Sequence, residues 1–294
     1  MSTSRPATAA RRRVAWQQAT LAKRHRQRLA ATVGITLVIA LFAGLVIAKA
    51  ANGHRATPTA SVTSPATSPA LSSPATTARV VAQATSVPAD VYAAIGTGGT
   101  AAQAQAIPGA GRLTVGGKPQ VLYLGAEYCP YCAAERWPLV LALSRFGTFT
   151  GLELTESSSS DVYPNTNTFT FQHATYTSAY LAFTPVELYD RNDNPLQTAT
   201  AAQQQLLQTY GQGGIPFIDL GGTAVLRSSG YSPQLLAGMD WTQIAASLTD
   251  ESSPVARAIV GTAERITGQL CRLTGNRPAT VCQTTEISSL EGAS

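Results

Sequence analysis

The sequence predicts a mixed α/β (α+β) domain, a central sheet flanked by helices, preceded by one transmembrane helix. Three observations carry this expectation. Beyond residue 89, short apolar runs suited to strands alternate with helical patterns. Gly221-Gly222 lies between two such runs, as a hairpin turn would. Leu29 to Ala48 is a run of twenty uncharged residues, long enough at ~1.5 Å per residue to cross the ~30 Å hydrocarbon core of a bilayer.

The chain opens on a basic arm, residues 1–28, with Arg5, Arg11, Arg12, Arg13, Lys23, Arg24, Arg26 and Arg28. Residues 1–89 hold eleven Lys or Arg and no Asp or Glu; residues 90–294 hold the other ten basic and all sixteen acidic residues, a net of −6. The positive charge therefore belongs to an arm, and no basic, aromatic-interleaved surface of the kind that binds nucleic acid is expected. The arm precedes a transmembrane helix at 29–50, and the positive-inside rule puts the N-terminus in the cytoplasm and the C-terminal domain outside, as a single-pass cell-membrane protein. A signal peptide cleaved near Ala48-Lys49-Ala50 is the alternative, and it exports the domain equally.

Residues 51–88 read as a disordered stalk. From Thr57 to Ala78 every residue except Val62 and Leu71 is Ser, Thr, Pro or Ala, a composition that cannot bury a core. The folded domain is expected at 89–294. Within it, Val121 to Leu124 suits a buried strand, and Pro130 to Phe146 a helix stopped by Gly147. Leu152 to Leu154 and Tyr180 to Tyr189 read as strands. Ala201 to Tyr210 is a helix closed by Gly211; Phe217 to Leu220 and Thr223 to Leu226 form the hairpin. Asp240 caps a helix from Trp241 to Leu248, and Ser253-Pro254 starts a longer one with Val255, Ile259, Ala263, Ile266 and Leu270 on one stripe. Residues 150–200, rich in Thr, Tyr and Asn, read as an insertion that shapes a substrate groove.

Four cysteines in 294 residues exclude a disulfide-dense mini-protein. Cys129-Pro130-Tyr131-Cys132 follows a strand and opens a helix. Unpaired N–H groups and the positive end of the helix dipole there stabilise a thiolate on Cys129. Cys132 falls on the same helix face, able to resolve a mixed disulfide, and Pro130 costs nothing in the first turn. Cys271 ends the last long helix and Cys282 lies beyond Gly275 and Pro278, so a bridge between them would clamp the tail as a structural disulfide. A second redox pair relaying electrons from Cys132 is the alternative.

Val121 to Cys132, with its CPYC motif, resembles the strand, turn and redox helix of the thioredoxin superfamily, and Gly214-Ile215-Pro216 followed by Phe217 to Leu220 resembles its cis-proline loop and next strand. The blocks GAEYCPYCAAERW, ALSRFGTF, IPFIDLGG and TGNRPATVC are similar to an uncharacterised, membrane-anchored thioredoxin-like family known from actinobacteria and archaea. This match covers residues 90 to 283. The resemblance implies a thioredoxin-like sheet, a cis Ile215–Pro216 bond beside Cys129, and Ile215 and Pro216 as binders of substrate backbone. Pro138 sits near the place where thioredoxins kink this helix. The superfamily's Trp before the first cysteine is Tyr128 here, and Tyr123 replaces its buried acid; Glu127 or Glu135 would have to accept the proton of the resolving thiol.

Duller readings stand beside these. Cys129 and Cys132 could be half of a zinc site, although Cys271 and Cys282 have the wrong spacing for the rest, or a permanent structural bridge. His173 has no evident partner for triad or metal chemistry and reads as structural or exposed. Trp137 and Trp241 read as core, Glu153 and Glu156 as a solvated face, and Gly96-Thr97-Gly98-Gly99-Thr100 as a flexible turn. The expected function is a membrane-tethered, extracytoplasmic thiol–disulfide oxidoreductase. Cys129 is the nucleophile and Cys132 the resolver, with Tyr128, Pro130 and Tyr131 shaping potential and contacts. No metal or nucleotide cofactor is expected, because the electrons reside in the thiols. The expected partners are exported protein thiols and disulfides and an integral membrane quinone-linked thiol oxidase. The alternative is a non-catalytic binding or envelope protein on the same scaffold, with two structural disulfides.

Overall fold

The computed structural model describes residues 72–99 and 104–292. The basic arm, the apolar run and the first part of the stalk lie outside them. Among the described residues no helix is long and apolar enough to cross a membrane.

The sheet is built around β3 (Lys118–Gly125). The strand alternates strictly: Val121 and Tyr123 enter one apolar cluster, and Leu122 and Leu124 enter another. Both faces of β3 are therefore covered, and period-2 side-chain alternation divides its residues between two cores. Parallel to β3 runs β8 (Ala182–Glu187), with Leu124 opposite Val186; on its other side β9 (Phe217–Leu220) pairs antiparallel, with Val121 opposite Leu220. Beyond β9 come β10 (Ala224–Leu226) and β1 (Gln105–Ala106), both antiparallel to their neighbours. A short β2 (Thr114–Val115) folds back on the start of β3. The Gly221-Gly222 turn is held by Asp219, whose Oδ1 accepts the Gly222 N–H at 2.6 Å.

Helix α3 (Pro130–Ser144) covers one face of the sheet together with α6 (Pro254–Thr274). The stripe Val255, Ile259, Ala263, Ile266 and Leu270 is buried there. On the other face α4 (Ala201–Gly211) contributes Leu207 against Leu122, Leu124 and Phe217. A short α5 (Trp241–Ser247) and α7 (Ala279–Cys282) and α8 (Thr285–Gly292) complete the helical set that follows the sheet. Pro138 interrupts the backbone ladder of α3: it has no N–H to give the carbonyl four residues back. That carbonyl, on Ala134, is taken instead by the Tyr231 hydroxyl at 2.8 Å.

Two differences from the sequence reading concern the domain's margins. The stalk expected through residue 88 gives way to helix α1 (Pro74–Thr85), capped by Ser73, whose side chain accepts the Thr76 N–H. Val80 and Ala84 of α1 are buried in the main core, and α2 (Ala89–Ile95) follows. The Ser/Thr/Ala composition conceals a narrow apolar stripe that becomes stable only by packing. The turn at Gly96 to Gly99 is also more than a flexible link. Gly98, at φ +56°, lies so close to α6 that a Cβ would stand 1.9 Å from the Arg257 carbonyl oxygen.

Between α3 and β8 the chain makes two ribbons: β4 (Gly147–Thr150) with β7 (Thr175–Ser178), and β5 (Glu153–Glu156) with β6 (Asn167–Thr170). The segment added between α3 and β8 is thus narrower than residues 150–200, because β8 belongs to the main sheet. Phe169 stacks edge-on to Trp137 at 4.5 Å between ring centroids, which fastens the ribbons to α3.

Candidate active site

Cys129 is the N-cap of α3 and Pro130 is its first helical residue. The Cys129 sulfur accepts the Cys132 N–H at 3.2 Å, so an orphan donor of the helix end is spent on a thiol. Both cysteines are free thiols; Cys132 is fully buried and Cys129 is 6% exposed. The Cys129 pKa is lowered, first by the hydrogen bond from the Cys132 side chain, then, against burial, by the Cys132 N–H and the charge of Arg136. Burial, reinforced by the hydrogen bond to Cys129, pushes the Cys132 thiol well up. The pair is thus split into one thiol disposed to ionise and one disposed to keep its proton.

Ile215 and Pro216 are joined by a cis peptide bond, and the Cys129 sulfur lies 4.0 Å from the Ile215 carbonyl oxygen. Tyr128 and Ile215 pack on the small cluster of Ala126, Cys129 and Cys132. Pro130 is buried in the first turn, whereas Tyr131 stands out at 38% exposure. The rim around the sulfur is aromatic: Tyr128 meets Tyr189 and Tyr131 meets Tyr163, with centroids about 6 Å apart. Tyr189, 37% exposed, leaves part of this rim open to solvent. Main-chain bonds hold these flanking loops to the cysteine loop, from Ser158 N–H to the Tyr128 carbonyl and from Glu127 N–H to the Tyr189 carbonyl, both at 2.9 Å. The Glu156–Arg191 ion pair, at 2.6 Å, ties the two loops to each other.

Beneath the dithiol lies a charged pair that sequence reasoning missed. Arg136, wholly buried on α3, donates from Nε and Nη2 to the two oxygens of Glu187 at 2.9 and 2.7 Å, and from Nη2 to the Ala126 carbonyl at 2.9 Å. Burial opposes the guanidinium charge, but Glu187 outweighs it and the group stays protonated. Arg136 Nη1 and the Tyr123 hydroxyl are buried without hydrogen-bond partners among the described residues. The Tyr123 hydroxyl tucks under Gly125, where a Cβ would stand 2.1 Å from it. Arg136 follows Cys132 by four residues on the same helix, so helical spacing alone could have flagged it. Glu187 arrives from another strand, and no local pattern marks it.

Glu127 and Glu135, considered as acceptors for the Cys132 proton, are both buried. Glu135 accepts the Gly230 N–H at 2.9 Å, and burial pushes its carboxyl up to about 8. Glu127 interacts with Thr170, and burial raises it too. His173 is exposed, as expected, with its Nδ1 3.2 Å from a Glu153 carboxylate oxygen. Trp137 is core, while the half-buried Trp241 donates its indole N–H to the Thr155 and Thr168 carbonyls. Cys271 and Cys282 are bonded to each other, with Cα atoms 5.4 Å apart, so neither offers a thiolate to a metal at Cys129 and Cys132.

Fold and site together define an α+β domain that presents a Cys-x-x-Cys dithiol at the N-terminus of a buried helix, over an arginine–glutamate pair. Residues 110–272, more than half of the chain, match the family described as a domain of unknown function (DUF929), and the chain belongs to that family. No curated protein and no solved structure matches it.

Proposed function

We propose that the protein is a thiol–disulfide oxidoreductase with a thioredoxin-like fold, tethered to the membrane by residues 29–50 and working outside the cytoplasm on exported proteins. The observation that carries this is the asymmetry of the dithiol: Cys129 at the helix N-cap with its pKa lowered, and Cys132 buried behind it with its pKa raised. Support for the fold comes from the order β3-α3-β8-α4-β9-β10-α6, with β8 parallel and β9 antiparallel to β3, and from the cis Ile215–Pro216 bond beside the nucleophile.

In the reducing direction the Cys129 thiolate attacks one sulfur of a substrate disulfide and forms a mixed disulfide, releasing the other substrate sulfur as a thiolate that takes up a proton. Cys132, on losing its proton, attacks the Cys129 sulfur and releases the second substrate thiol. The enzyme ends with a Cys129–Cys132 disulfide and the substrate with two thiols; the oxidising direction is the reverse. Two electrons move, and no metal or nucleotide is required. Ile215 and Pro216 would line the substrate backbone, with Tyr128 and Tyr131 against its side chains. A quinone-linked integral membrane thiol oxidase would reoxidise the dithiol.

The low exposure of Cys129 favours a second reading, a scaffold whose Cys129–Cys132 bridge is only structural. Equilibrating the full-length protein in graded thiol–disulfide buffers and locating free thiols by peptide mass separates the two. A Cys129–Cys132 midpoint between about −120 and −270 mV, with Cys271–Cys282 still oxidised, is expected of the oxidoreductase. Resistance of both pairs below about −300 mV would overturn it. A Cys132→Ser trap that captures only soluble proteins would remove the membrane oxidase from the scheme.

A further inference from the structure

Away from the dithiol, a cavity of about 550 Å³ opens between β1, β10 and the C-terminal half of α6. Its size falls within the range of small-molecule sites. The lining divides into three chemistries. Ala224, Leu226, Ile266 and Leu273 make an apolar wall, and Arg112, Arg265 and Arg272 contribute guanidinium groups. The remaining polar side chains include Glu135 and Thr262, both buried. The Thr262 hydroxyl has no hydrogen-bond partner, although a buried hydroxyl without one is costly. Glu135, at about 8, is uncharged at neutral pH and does not repel an anion.

The walls are built by the fold rather than by mobile side chains. Leu113, next to Arg112, donates its N–H to the Gly221 carbonyl at 3.1 Å and accepts the Gln120 N–H at 2.9 Å, which anchors the Arg112 segment to the β9–β10 turn. Leu273 of α6 lies against that same turn, so close that a Cβ on Gly221 would stand 2.7 Å from its side chain. Arg112 is exposed, and its guanidinium has no hydrogen bond or ion pair among the described residues.

We propose that this cavity binds a small anionic amphiphile, with a carboxylate or phosphate headgroup against the arginines and a hydrocarbon body along the Ala224, Leu226, Ile266 and Leu273 wall. A guanidinium fork matches either head, and that of Arg112 stands in the lining without a hydrogen bond or ion pair among the described residues. The apolar wall excludes a bare inorganic anion as the preferred occupant. Thr262, buried against Gly230, belongs to the same lining. This site is independent of the dithiol reading, and neither depends on the other.

Isothermal titration calorimetry of the full-length protein in a non-ionic detergent tests it, with octanoate and octyl phosphate as probes and acetate, inorganic phosphate and 1-octanol as controls. One of the two amphiphiles should saturate a single site at least about tenfold more tightly than its head or its tail alone, the difference of one charge-assisted contact. Whichever wins identifies the headgroup. Arg112→Glu should weaken that binding by about tenfold or more, while the alkylation midpoint of Cys129, read in parallel, stays where it is and shows that the variant is folded. Thr262→Val, which keeps the shape of the side chain, should weaken it less. Equal binding by the Arg112→Glu variant, equal binding of octanol, or no saturable binding of either amphiphile would overturn the proposal.

Discussion

Cys129 and Cys132 open helix α3, whereas Cys271 lies in the last turn of α6 and reaches across eleven residues to Cys282 in α7. All four are buried. What separates the pairs is the helix end. At the start of α3 the free N–H groups and the positive end of the dipole stabilise a thiolate, and Arg136 adds a full charge from below. At the end of α6 the carbonyl groups face out, Gly275 turns the chain at φ +65°, and a thiolate would meet the negative end of the dipole. Equal burial thus accompanies a free dithiol with a lowered Cys129 pKa at one place and a bonded clamp at the other.

The largest expected effect removes one side of this comparison. Cys129→Ser should reduce disulfide exchange to the level of the uncatalysed reaction, and Cys132→Ser should accumulate mixed disulfides. Serine at Cys271 and Cys282 together should leave exchange at the parent rate. Exchange that survived in the Cys129→Ser protein would place the chemistry elsewhere.

Next comes the buried charge. Arg136→Met leaves Glu187 unpaired in the core and should cost about 3–5 kcal/mol in chemical denaturation, whereas replacing both members by apolar residues should cost much less. Because the guanidinium lowers the Cys129 pKa, the double variant should also alkylate at a higher midpoint pH than the parent. An unchanged midpoint would show that the helix end acts alone.

Removing the clamp is the smaller perturbation. Loss of the Cys271–Cys282 bond, by paired Cys→Ser substitution, should lower stability by up to ~3 kcal/mol in the loop-entropy estimate. The Cys129 alkylation midpoint should not move. A moved midpoint would mean that the clamp and the dithiol are coupled.

The titration effects have opposite signs. Cys129 is lowered on folding, so its contribution to stability is present above the free thiol value of about 8.5 and is lost as pH falls through its folded value. Glu135 is raised, so its contribution is fully present below the free carboxyl value of about 4.3 and is lost as pH rises through about 8. Glu135→Gln should therefore flatten the decline in melting temperature between pH 5 and 8 that the parent shows. A decline that persists in the variant would assign it to another buried acid, such as Asp219, also raised by burial.

Much of this was legible in the chain because it is local. A short apolar run and a following proline located β3 and the start of α3; Gly-Gly located the β9–β10 turn; Ser253-Pro254 and a stripe every three to four residues located α6. The cysteine spacing pointed to the helix N-cap for the same reason, since an N-cap and its third residue are set by a single helical turn. Helix α1 was hidden, because its stripe is narrow and its stability comes from the core that Val80 and Ala84 enter. Glu187 was hidden too. It meets Arg136 only because β8 lies parallel to β3 and brings a residue fifty-one positions away under the dithiol. By itself the sequence determined which elements carry the cysteines, since helix caps, turns and periodicities act over a few residues. The tertiary structure alone decided which charge lies beneath the thiols and which loops border them, because those pairings depend on strand order and on burial.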